Sequence, residues 1–142
     1  MREFVQEVES LLEVMRNLTQ TIREILKYLY RGEPIETEPL DTLFETFYKL
    51  EIKALQLHRI WVIEPYMLTG ELKYETIEEI ILKIRDFVKE YEKVVMQFTR
   101  ASDNEKINML KSLTQSINRY TSEIEALLIK LEEEVREEQA TI

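Results

Sequence analysis

Cysteine is absent from this chain of 142 residues, glycine occurs twice, proline three times and histidine once. Without cysteine there are no disulfides, no thiolate metal sites and no cysteine nucleophiles. So few turn-formers exclude a β-rich fold, which needs them at short intervals between strands. Carboxylate-bridged di-metal bundles carry two Glu-x-x-His pairs, and here the residue three before His58 is Leu55. Neither a Gly-x-x-x-x-Gly-Lys loop, nor Gly-x-Gly-x-x-Gly, nor Gly-x-Ser-x-Gly occurs. No apolar run approaches the roughly 20 residues that span a bilayer. The opening Met1-Arg2-Glu3-Phe4 leads into an amphipathic segment with acids at Glu7 and Glu9, which does not read as a secretory leader. These absences predict a cytoplasmic protein with no membrane partner, no metal, no cofactor and no catalytic residue, and so not an enzyme.

Positive charge is also in short supply. The formal net charge is -9, with a pI of about 4.8. Residues 33–70 hold seven acids against three bases, and residues 101–142 hold nine against five. Residues 1–32 are balanced, and residues 71–100 are acidic by one. Free nucleic acid is a polyanion and is bound by a basic stripe that releases counterions. No segment of this chain is basic.

What the sequence does contain is helical periodicity. Apolar residues recur at alternating steps of three and four in four stretches, the seam of a helix packed along other helices. The first reads Phe4, Val8, Leu11, Met15, Leu18, Ile22, Ile25, Leu29, and the second Leu40, Leu43, Phe47, Leu50, Ala54, Leu57, Trp61. The third reads Ile77, Ile80, Ile84, Phe87, Tyr91, Val94, Phe98, and the fourth Leu110, Leu113, Ile117, Tyr120, Ile124, Leu127, Leu131. No acid interrupts any of them.

Local signals set the ends. Gly32 is a left-handed cap for the first helix, and Pro34 prevents its continuation. Pro39 fits the first turn of the second helix, where a missing N–H has no consequence. Glu64-Pro65 closes that helix. The third helix starts just after Gly70, in preference to the capping-box spacing of Thr76 and Glu79. Ser102 and Glu105 form a capping box that opens the fourth helix, so the third and fourth are antiparallel neighbours. Glu132 to Glu138 loses the seam and reads as an exposed overhang. The expectation is an all-α fold: a single domain over residues 1–142, an antiparallel up-down-up-down four-helix bundle with long heptad-patterned helices at about 2–31, 40–63, 71–101 and 103–138. The rival is a pair of long hairpins that complete their core only in a dimer, and a strict heptad pattern also occurs in extended coiled coils.

Three local features carry a bland reading beside a functional one. His58 sits beside the seam and reads as a boundary histidine with one nitrogen in water. Trp61, Tyr66 and Tyr74 read as a plug at one bundle end, where indole and phenol groups pack yet still reach water. The glutamate run at the C-terminal end reads as a solvated helix face.

The second helix differs from the others. It carries a further apolar row, Tyr48, Ile52, Leu55 and Val62, interrupted by Arg59. At 3.6 residues per turn this row points roughly 145° away from the core seam. The corresponding side of the first helix holds Glu13, Gln20 and Lys27, and that of the fourth holds Gln115 and Ser122. Either another molecule covers this row, or the second helix is sunk among its neighbours. The first reading predicts a non-catalytic interaction or assembly module, with Tyr48, Ile52, Leu55, Arg59 and Val62 as the partner-binding residues. The expected partner is a protein, foremost a second copy of the chain as a homodimer, or else a larger complex. The alternative is a small subunit of a nucleic-acid-processing complex that contacts RNA or DNA through Lys83, Arg85, Lys89, Lys93 and Arg100 of the third helix. Those residues are interleaved with Glu79, Asp86, Glu90 and Glu92, the pattern of a salt-bridged solvated face. The abundance of glutamate, lysine and isoleucine with little glycine suggests a thermophilic source.

Overall fold

The computed structural model describes the backbone of residues 2–63 and 71–140, and the side chains of residues 2–60 and 75–137. The second connector, Val62's side chain, and the Trp61, Tyr66 and Tyr74 cluster lie outside the described side chains. Among the described residues there are four α-helices and no strand: α1 (Arg2–Arg31), α2 (Thr37–Ile63), α3 (Glu71–Gln97) and α4 (Asp103–Ala140). A 3₁₀ turn, Phe98–Arg100, follows α3. α1 packs on α2, α2 on α3, α3 on α4 and α4 back on α1. This closed ring of sequence neighbours is the antiparallel up-down-up-down four-helix bundle.

The caps explain the turns. Gly32 has φ of +66°, and its N–H bonds the Leu29 carbonyl at 3.2 Å while the Glu33 N–H bonds the Tyr28 carbonyl at 3.0 Å. Those two bonds make a Schellman cap. α2 starts at Thr37, three residues before the expected 40, and Pro39 lies in its first turn as expected; the Leu40 N–H already reaches the Glu36 carbonyl at 3.4 Å. The Glu105 N–H donates to Ser102 Oγ at 3.3 Å, and the same hydroxyl donates to Glu105 Oε1 at 3.1 Å. The capping residues are those expected, but the glutamate returns to the hydroxyl and not to the backbone N–H. Before it, the chain tightens into the 3₁₀ turn, so that Phe98 stays buried against the edge of Phe44, ring centres 6.3 Å apart.

The core runs along the ring axis and contains the predicted seams with a few departures. Leu12 and Ile81 are buried in addition. Leu40 is half-buried. On α4 the buried residue is Leu128, and Leu127 is half-exposed. A straight helix drifts about 20° per heptad against a strict seven-residue repeat. By the end of a 38-residue helix the inward side has moved to Thr121, Ile124, Leu128 and Leu131.

The expected overhang stands for Glu132, Glu133, Arg136 and Glu137, which are exposed, and is corrected at its middle. α4 continues to Ala140, with Glu134 and Val135 half-buried against the bundle. Thr76 is buried, and its hydroxyl is shared between the two Glu134 carboxylate oxygens at 2.9 and 3.1 Å. Thr76 thus ties α3 to α4 instead of capping α3, which starts at Glu71.

Candidate protein-interaction face

α2 is held from one side only. Leu43, Phe47, Leu50, Ala54 and Leu57 enter the core. Lys53 leans toward α1, 3.3 Å from Ser10 Oγ and 3.9 Å from Glu7. The Tyr91 hydroxyl of α3 donates to the Leu43 carbonyl. These ties fix the rotation of α2 and thereby decide what its far side presents.

That far side is exposed. Tyr48, Ile52 and Leu55 keep 59%, 56% and 64% of their surface in solvent. Arg59 is exposed beyond them. Val62 continues the same helical row, and its side chain lies outside the described residues. The sunken-helix reading is therefore excluded for Tyr48, Ile52 and Leu55. Elsewhere among the described residues, large exposed apolar side chains are scattered: Tyr30 on α1, Ile129 on α4, and Leu82 and Met96 on α3. The latter pair stand about four turns apart. Scattered apolar residues are ordinary on a protein surface, whereas three in one row are not.

A shallow groove of about 220 Å³ runs beside the row, lined by Glu51, Ala54, Leu55 and His58 of α2 and by Arg85, Val88 and Lys89 of α3. Its apolar floor is Ala54 and Val88, and its walls are charged. His58 is exposed on this wall. Tyr48 is supported by Phe47, ring centres 5.4 Å apart, so its ring stands on the core. The α3 wall was not anticipated. Its signal in the sequence is Ile81, Val88 and Val95, a row at seven-residue spacing that packs on the core beside the main seam.

Of the basic residues of α3, Arg85, Lys89 and Lys93 follow one another at steps of four along its outer side, all three exposed, and Lys83 lies apart. Lys83 pairs with Glu123 of α4 at 3.1 Å. Arg85 and Lys89 line the groove with α2, while Lys93 lines a separate hollow between α3 and α4. In that hollow Glu90 receives Arg119 and the Tyr120 hydroxyl, each at 3.3 Å. Burial, and then the Glu90 carboxylate, hold the Tyr120 phenol above its ordinary pKa. Among the described residues no three His, Asp or Glu side chains converge in a way that could hold a metal ion. Among them, too, no helix is long and apolar enough to cross a membrane.

No family model matches this chain, and no similar curated protein or solved structure is found. The face of α2 must therefore be read from its own chemistry: an exposed apolar row on a helix with charged flanks.

Proposed function

We propose that this protein is a non-catalytic assembly module of the cytoplasm that joins other protein through the outer face of α2, as a homo-oligomer or as a small subunit of a larger complex. The observation that carries the reading is the exposed row of Tyr48, Ile52 and Leu55 on a helix whose core side is already satisfied. Burying such a row removes several hundred Å² from water, worth about 5–10 kcal/mol gross before the costs of association. Arg59 adds a charged rim of the kind that aligns partners and excludes wrong ones. The nucleic-acid alternative has less support, since Lys83 is paired with Glu123 and the outer row of Arg85, Lys89 and Lys93 is interleaved with Asp86, Glu90 and Glu92.

The test is a double substitution, Ile52→Lys with Leu55→Lys. Both positions are solvent-exposed, so far-ultraviolet circular dichroism should be unchanged. In size-exclusion of extract from the native host, wild type is expected to run well above its 17.1 kDa monomer mass and the variant at it. Wild type running as a monomer in that extract would sink the reading.

A further inference from the structure

Resting on that reading, we infer that the occupant of the α2 face is a second copy of this chain, related by a twofold axis, with the two α2 helices antiparallel. The exposed stripe is longer than its apolar part. Asp41, Glu45, Tyr48, Ile52, Leu55 and Arg59 follow one another at alternating steps of four and three, so they lie along one side of the helix. All six are exposed. The stripe is apolar in the middle, acidic at its N-terminal end and basic at its C-terminal end. Arg85 and Lys89 of α3, against the single acid Glu51, add positive charge to this end, since all three line the groove that Leu55 and His58 share.

A face with this charge order is complementary to itself in one orientation only. In a twofold interface residue i meets residue j, and j meets i. Glu45 and Arg59 each lie seven residues from Ile52, roughly 10 Å along the helix. Antiparallel pairing about Ile52 therefore brings Glu45 of each copy to Arg59 of the other, twice over. Tyr48 lies within a turn of the same partner arginine, and a guanidinium can rest on its ring. Parallel pairing instead sets Asp41 against Asp41, Glu45 against Glu45 and Arg59 against Arg59. Like charges so placed oppose association. The apolar centre supplies attraction in either orientation, and the charged ends select between them.

The absence of cysteine makes the test direct. A nitroxide on Asp41→Cys reports the distance between the two copies of position 41. Eleven residues on each side of the axis give ~33 Å in the antiparallel dimer, against ~10 Å in a parallel one. Sedimentation equilibrium of Glu45→Arg, Arg59→Glu and the double variant supplies the second readout. Each single change should raise the dimer Kd about three- to ten-fold, and the double variant should return it to within about two-fold of wild type. A short distance at position 41, or no recovery in the double variant, overturns the antiparallel arrangement and leaves the α2 face as the interface. Purified wild type that is monomeric overturns the second copy as partner, while the extract experiment above still decides whether the face binds another protein. A dimer that Ile52→Lys with Leu55→Lys leaves intact overturns both.

Discussion

Tyr91 places a phenol in the apolar centre of the bundle, fully buried, with its hydroxyl on the Leu43 carbonyl of α2. A carbonyl inside a helix already accepts the N–H four residues on, so removing the phenol oxygen orphans no backbone group. Tyr91→Phe should therefore cost only about 1 kcal/mol. The same burial raises the Tyr91 pKa above its ordinary value of 10.0. The folded protein keeps this proton when the unfolded chain begins to lose it. The stabilisation is thus fully present below about pH 10 and declines as pH rises beyond it. The urea midpoint should fall less between neutrality and about pH 11 for Tyr91→Phe than for wild type. Equal alkaline losses in the two proteins would place the titrating group elsewhere. Residue-scale facts of this kind were half legible. Tyr91 occupies a seam position by spacing, but its hydrogen-bond acceptor lies 48 residues away on another helix.

At the scale of one element, the turn after α1 depends on a backbone conformation that side-chain-bearing residues resist. Gly32 adopts φ of +66°, and a methyl group added there would meet nothing within 4 Å. The cost of Gly32→Ala is then conformational strain alone, about 1 kcal/mol, and Gly32→Asn should cost less. Chemical denaturation of the two variants checks both the size and the order. The cap was readable in advance because it depends on atoms within two turns. The far end of α4 was not, for two reasons. Accumulated drift of the helix against the heptad exchanges Leu127 for Leu128, and Glu134 is drawn in by Thr76 of α3. Neither follows from the local order of residues.

For the whole molecule, charge and its distribution matter more than any single side chain. Against a net charge of -9, the described residues of α3 offer a phosphate backbone only the short row of Arg85, Lys89 and Lys93, interleaved with acids. Fluorescence anisotropy with a single-stranded RNA at about 100 mM salt should show no saturable binding. A signal that weakens steeply as salt increases would revive the nucleic-acid reading. The same acidic surface makes unspecific self-association unfavourable, so a contact between copies has to be local and oriented. The proposed α2 interface would meet that condition, with an exposed apolar row between charged ends of opposite sign.

Helix number, most of each seam, the Gly32 and Ser102 caps and the existence of a second apolar row on α2 were determined by the sequence alone, because each is a matter of spacing or of neighbours a few residues apart. Only the tertiary structure decided that this row faces outward, that α3 supplies the second wall of the groove, and that Lys83 pairs with Glu123 of α4. The physical reason is that burial belongs to pairs of helices. The side of α2 left wet is set by where α1 and α3 grip it, through Lys53, Leu43 and Tyr91, and that grip connects residues more than forty positions apart.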